Sequence, residues 1–419
     1  MNEVRVTTLP NGLRVVTDPM ETVETASVGV WVEVGTRHEQ PELNGVSHLL
    51  EHMAFKGTRK RDARAIAEEI EAVGGHLNAY TSRENTAYYA KILKEDLGLA
   101  VDIIADILQH SAMDPEELAR ERAVIIQEIH QAHDTPDDII FDYFQETAFP
   151  GQGLGLPVLG LADLIRDMPR PDILDYMQGH YSAPRMVLAA AGRIEHDRLV
   201  DLAERAFRSL PPPRAAEGDA ARYVGGDFRQ DRDLEQVHLL LGMEGVSYQD
   251  PDFYKVSILS TLLGGGMSSR LFQEVREKRG LVYSIYSFLS SYVDGGLFGI
   301  YAGTGEGEVE ELIPIVCDEI KKVADELREE EVVRARAQLK ASILMGREST
   351  SSRCEQLARQ MIVFGRPLPV PEVIANIEAV DGAAVRQAAR RIFASPPTFA
   401  ALGPIGKVEG YDKVVERLA

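Results

Sequence analysis

A chain of 419 residues is too long for one ordinary core and predicts two domains of about 200 residues each. Its net charge of −21 argues against nucleic acid as a partner, because neutralising phosphates requires a basic surface; an acidic surface suits cationic ligands and serves solubility equally well. Two cysteines, Cys317 and Cys354, are too few for a disulfide framework or a cysteine-held structural zinc.

The first residues, MNEVRVTTLPNGLRVVTDP, alternate polar and apolar positions around Asn11-Gly12, the signature of a hairpin. They lack the continuous apolar core of a signal peptide, and no stretch approaches the roughly 18 apolar residues of a membrane span. No membrane association and a cytoplasmic location are the expectations. Residues 26–34 (ASVGVWVEV) predict a strand, and 45–55 and 62–73 predict helices, the second stopped by Gly74-Gly75. Residues 76–92 predict two strands around a turn at Arg83-Glu84-Asn85, and a helix follows over 95–110. Asp114-Pro115-Glu116-Glu117 carries a capping aspartate, a proline suited to the first turn and a glutamate three residues on, so another helix runs from there to about His133.

Residues 209–229, with a triple proline and little apolar periodicity, predict a linker. Beyond it a strand is expected at 235–242, helices at 252–263 and 268–278 around Gly264-Gly265-Gly266, strands at 281–288 and 296–303, and helices at 307–326 and 329–346. The order strand, two helices, hairpin, two helices thus occurs twice, an internal repeat of about 200 residues. The expected fold class is α+β: two homologous α/β-sandwich domains, each a mainly antiparallel sheet packed with helices. The boundaries are 1–210 for the first domain, 211–229 for the linker and 230–419 for the second.

In the segment GVSHLLEHMAF (45–55), Val46, Leu49, Leu50 and Met53 form one apolar helical face, and His48, Glu51 and His52 fall on the other. Histidines four apart sit one turn above each other and can meet one ion. Glu51 is too close along the chain to be a comfortable third ligand and is better placed to act on a water. This spacing, H-x-x-E-H, is the inverted zinc motif of metallopeptidases. A catalytic zinc needs a third protein ligand, and the helix from 114 to 133 offers Glu121 and Glu128, two turns apart on one face. On spacing alone these two glutamates could equally form a solvated face.

With these residues in view the chain resembles the pitrilysin-type inverzincin metallopeptidases. It looks closest to the short bacterial members and to the β subunit of the mitochondrial processing peptidase. The resemblance rests on GVSHLLEHMAFKGT (45–58), LNAYTSRENT (77–86), ERAVIIQEI (121–129) and GGGMSSRLFQEVREKRGLVYS (264–284). It implies one Zn2+ per chain held by His48, His52 and Glu128, with Glu51 as general base and Glu121 supporting a ligand through a hydrogen bond. It implies that Asn78, Ala79 and Tyr80 lie on an edge strand that takes up the peptide substrate, with Phe55 also contacting it, and that Arg276 and Tyr283 contact substrate carbonyls. His130 and His133 are then ordinary surface histidines.

The second half has no H-x-x-E-H; its equivalent residues, 258–266, read ILSTLLGGG, and the glycines lack the Lys-Ser/Thr that a phosphate-binding loop requires. The resemblance implies a dimer, here a homodimer in which Arg276 and Tyr283 of one subunit complete the site of the other. The expected activity is zinc-dependent endopeptidase action on peptides or unfolded, presequence-like segments inside a closed chamber. A non-catalytic homologue and the catalytic subunit of a heterodimeric processing peptidase are the alternatives.

Overall fold

The computed structural model describes residues 3–213 and 218–419. Residues 214–217 of the expected linker and the first two residues of the expected N-terminal hairpin lie outside that description. The chain forms two compact units. The first comprises Met1–His130, Leu156–Asp219 and Leu344–Pro367; the second comprises Gln131–Gly155, Ala220–Ile343 and Leu368–Ala419.

In the first unit the strands are β1 (Arg5–Thr8), β2 (Arg14–Pro19), β3 (Thr25–Val32), β4 (His76–Thr81), β5 (Thr86–Leu93) and β6 (Met186–Gly192). They form one sheet in the order β1-β2-β6-β3-β5-β4, antiparallel except for the β2–β6 pair. The hairpin at Asn11-Gly12 joins β1 to β2 as expected. One face of the sheet is covered by helices that include α1 (Val46–Ala54), α2 (Ala63–Glu71), α3 (Leu97–His110) and α4 (Pro115–His133). The core between them holds Val28, Val30, Leu49, Leu50, Met53, Ile104 and Ile125.

The opposite face is apolar as well. Val16, Trp31, Val187, Ala189 and Ala191 point to it and are covered by the helix Thr350–Phe364 through Cys354, Leu357, Ala358 and Met361. The alanine run of β6 lets this helix approach closely, so that Cys354 Sγ lies 3.2 Å from the carbonyl oxygen of Ala189. Buried Asp18 accepts from Arg347 and Arg353 at 3.1 and 3.2 Å, and Ser27 hydrogen-bonds Thr350 at 2.9 Å, fixing the start of the helix.

The second unit repeats the plan. Its strands β7 (Gly226–Asp231), β8 (Val237–Glu244), β9 (Val282–Ser291), β10 (Gly296–Thr304) and β11 (Thr398–Gly403) run in the order β7-β11-β8-β10-β9, with β7–β11 the parallel pair. Order and directions match β2-β6-β3-β5-β4, so the repeat seen in the order of elements is a repeat of topology. Here α5 (Pro136–Ala148) covers the second face of the sheet, with Ile140 and Phe144 packed on Leu240, Ala400 and Leu402. Each half of the sequence therefore gives one helix to the other half's sheet, and the compact units differ from a cut at the linker by these two exchanged segments.

Two local expectations are corrected. Residues 226–229, read as the end of the linker, form most of β7. As an edge strand in which most side chains are exposed or half-buried, it carries no apolar alternation that the sequence could display. The helix expected over 268–278 is instead a π-helical segment, Phe272–Glu277, with Lys278 N–H donating to Gln273 five residues back. Among the described residues no helix is long and apolar enough to cross a membrane.

Candidate metal centre

The site is built on α1. Its apolar face is fully buried, with Val46, Leu49, Leu50 and Met53 all at 0% exposure. The polar face is enclosed as well, since His48 is only 8% exposed and Glu51 and His52 are half-buried. The helix starts at Gly45 in the left-handed conformation, φ +94°. A Cβ there would stand 2.6 Å from Ile165 Cδ1 and 2.8 Å from Gly160 Cα, so only glycine fits.

The rings of His48 and His52 lie edge to face, 4.6 Å between centroids. Both Nε2 atoms face one carboxylate oxygen of Glu128, at 3.7 Å from His48 and 3.5 Å from His52. Donor atoms of the three residues lie within 4.8 Å of one another; among the described residues no other group of His, Cys, Asp or Glu is so placed to share an ion. Two imidazoles and a carboxylate are a donor set that suits zinc. Burial, aided by the neighbouring His52, pushes the His48 imidazole down to about 3, which keeps it neutral with a lone pair to donate. Among the described residues the buried Nδ1 of His48 has no hydrogen-bond partner.

Glu121 is 5% exposed and faces the same place from the apolar side of α4, where Leu118 and Ile125 flank it. One of its oxygens lies 2.9 Å from His52 Nδ1 and the other 2.7 Å from Lys56 Nζ. Accepting from Nδ1–H fixes the His52 tautomer that leaves Nε2 free to bind a cation. Glu51 accepts a hydrogen bond of 2.6 Å from the hydroxyl of Thr81. Burial raises its carboxyl above the usual range; the Thr81 bond and the nearby His52 oppose that rise, and Glu128 adds to it.

Asn78, Ala79 and Tyr80 lie on β4, the edge strand of the first sheet, whose outer side pairs with no strand of that sheet. The strand's alternation divides their side chains. Leu77 and Ala79 pack on the core beneath α1, whereas Tyr80 turns to the other face, where its hydroxyl accepts from Trp31 Nε1 at 3.1 Å and donates to Glu355 at 3.4 Å. Phe55, at the end of α1, sits against buried Tyr88 with ring centroids 6.3 Å apart. In the second unit Arg276 and Tyr283 are brought together: the guanidinium lies 5.6 Å from the Tyr283 ring and 4.8 Å from that of Phe272. Tyr283 is 78% exposed. His133 meets Tyr143 at 3.4 Å, and neither it nor His130 joins the cluster.

The chain is 42% identical over 403 residues to a protein of Rickettsia bellii described as an uncharacterized zinc protease, spanning 95% of this chain and 97% of that protein. The model of the insulinase family, peptidase family M16, matches residues 14–161. The chain belongs to peptidase family M16. A second model, described as the M16 inactive domain, matches residues 167–339 and so covers most of the half that lacks H-x-x-E-H. A further M16 relative is a probable mitochondrial-processing peptidase subunit beta of Arabidopsis thaliana, 39% identical over 431 residues that span 99% of this chain and 81% of that protein. In fold the chain matches the crystal structure of a protease from Helicobacter pylori with a TM-score of 0.91 at 23% identity, covering 96% of this chain and 99% of that one. It also matches a chain of complex III2 from Candida albicans with a TM-score of 0.87 at 22% identity, covering all of both chains.

Three residues of the site escaped the sequence reading. Thr81 continues the Leu77, Ala79 alternation onto the face of α1, so the period of β4 held a usable signal. Lys56 follows His52 by four residues, but α1 ends before it and the spacing alone does not identify a partner. Glu39, which binds the start of α1 from outside the motif, had no signal at all.

Proposed function

We propose that this chain is a zinc-dependent endopeptidase in which His48, His52 and Glu128 hold the metal and Glu51 is the general base. The observation that carries the reading is the convergence of both imidazole Nε2 atoms on one oxygen of Glu128, with Glu51 on the same helix. Zinc in this donor set supplies Lewis acidity toward the scissile carbonyl and the attacking water. Glu51 takes the proton of that water and passes it to the leaving amine; its raised pKa strengthens it as a base near neutral pH. The Thr81 hydroxyl holds one Glu51 oxygen and leaves the other for the proton.

The substrate extends along β4, held by backbone hydrogen bonds at Asn78–Tyr80, with Phe55 contacting one of its side chains. Such binding tolerates varied sequences and suits unfolded or presequence-like segments. Arg276 and Tyr283 supply donors to substrate carbonyls. The active form is a homodimer with a closed chamber, each subunit's Arg276 and Tyr283 completing the zinc site of the other. The similarity to a processing-peptidase subunit favours, as a second reading, a heterodimer in which this chain is the catalytic partner. The mass of the purified, active protein separates the two.

Cleavage of an unfolded-peptide library, with and without a chelator, tests the chemistry. Activity is expected to vanish on metal removal and to fall about 10²–10⁴-fold in Glu51→Gln. Activity that survives either change overturns the mechanism. Co-expressing Glu51→Gln with Tyr283→Phe tests the shared sites: mixed dimers should regain activity, and mixed dimers without recovery refute the arrangement in trans.

A further inference from the structure

A helix that begins at a glycine has no side chain of its own to cap its first turn. In α1 the cap comes from six residues upstream. One oxygen of Glu39 accepts from Gly45 N–H at 2.8 Å and from Asn44 Nδ2 at 2.9 Å, and the other accepts from Ser47 N–H at 2.8 Å. Glu39 is 6% exposed, and among the described residues no cation forms an ion pair with it; it is held by backbone and side-chain donors at the start of α1. A buried carboxylate without a counter-ion is a costly way to cap a helix. A shorter neutral cap at position 45 is ruled out, because the backbone there is left-handed and a Cβ would strike Ile165 and Gly160. Asn44 and Ser47 make second ties, to the Pro157 carbonyl at 3.1 Å and the Tyr176 hydroxyl at 2.7 Å. The residue after Ser47 is His48, and His52 lies one turn further on.

We infer that Glu39 is a positioning residue for the metal site: its carboxylate, gripping both ends of the Gly45–Ser47 turn, sets the axial position and rotation of α1 and thereby aims His48 and His52 at Glu128. The inference rests on the proposed zinc site. Zinc donors must be placed to about 0.2 Å, so a small slip of the helix start is felt at both imidazoles. β4, where the peptide is proposed to bind, makes no hydrogen bond with Glu39, so the effect falls on the metal rather than on substrate binding.

The test measures zinc affinity of the purified metal-free chain by competition with a chromogenic chelator, beside thermal unfolding. Glu39→Gln keeps the shape but turns a donor toward the backbone N–H groups; zinc affinity should fall about 10–100-fold, with KM for peptide at saturating zinc unchanged. Asp381→Ala is the comparator. It removes a carboxylate cap from a helix of the second unit, where Ala384 N–H donates at 2.8 Å, and should lower the melting temperature without changing zinc affinity. Glu39→Asp, which withdraws the carboxylate by one methylene, should give an intermediate loss and serves if Glu39→Gln does not fold. Zinc affinity within twofold of wild type in the variants that fold overturns the inference. So does an equal loss in Asp381→Ala, or failure of both Glu39 variants to fold, which would make the residue one of general stability. A wild-type chain that binds no zinc, or a His48→Ala chain that binds it as well as wild type, instead refutes the zinc site itself.

Discussion

Replacing Gly45 by alanine tests how tightly the start of α1, the helix proposed to hold the metal, is built. The residue sits at φ +94°, where an L side chain costs about 1–2 kcal/mol. The added Cβ would also lie 2.6 Å from Ile165 Cδ1, 2.8 Å from Gly160 Cα and 3.1 Å from the Leu159 carbonyl oxygen. Two of these neighbours are backbone, so relief requires a shift of α1 or of the 159–160 turn, an overpacking cost of about 1–3 kcal/mol. Stiffening of the unfolded chain returns about 0.4–1 kcal/mol. The net loss is about 1–4.6 kcal/mol. Gly74→Ala supplies the control: its φ is +68°, but nothing lies within 4 Å of its Cβ, so no packing cost is added and its net cost is about 0–1.6 kcal/mol. Urea unfolding of the two metal-free variants and wild type measures the difference, and zinc affinity should fall only in Gly45→Ala. If Gly45→Ala is no less stable than Gly74→Ala, the packing argument at the helix start is wrong.

Three further outcomes follow from the geometry. Thr81→Val removes the donor that stabilises ionised Glu51, so its pKa rises further and the acid limb of kcat/KM should move to higher pH; an unmoved limb would mean that Glu51 is not the titrating base. Glu121→Ala frees His52 Nδ1 and Lys56 Nζ and should weaken zinc binding about 10–100-fold while leaving some activity at excess zinc, as a chelator titration would show. A chain ending at residue 213 lacks the 350–364 helix and leaves Val16, Trp31 and Val187 uncovered; it should bind a hydrophobic dye and aggregate, and a monomeric, cooperatively folding fragment would contradict the packing described.

The parts of the fold that the sequence displayed are those in which burial writes a period. Val46, Leu49, Leu50 and Met53 mark α1 because one side of that helix meets the core, and the separation of Glu121 from Glu128 placed both on one side of α4. Strand β7 left no such mark, because an edge strand with Phe228 as its one large apolar residue buries too little. The helix exchange was illegible for a different reason. The pattern of Leu357, Ala358 and Met361 says that the 350–364 helix has an apolar face, but not which sheet receives it. At the site, the cluster of His48, His52 and Glu128 was readable from spacing and resemblance together, whereas Glu39 acts across six residues that hold only a single 3-10 turn, Pro41–Leu43, and no periodicity to read.

The exchanged helices also set an order on synthesis. When β6 leaves the ribosome the first sheet has all its strands, yet one face still shows Trp31, Val16 and the alanine run to solvent. The helix that covers it begins about 160 residues later, which at 5–20 residues per second is a wait of roughly 8–30 s. During that interval the nascent chain presents an apolar sheet face of the kind that chaperones bind. The alanines of β6 suit this exposure as well as they suit the close approach of the helix, since small side chains give a competing surface little to hold.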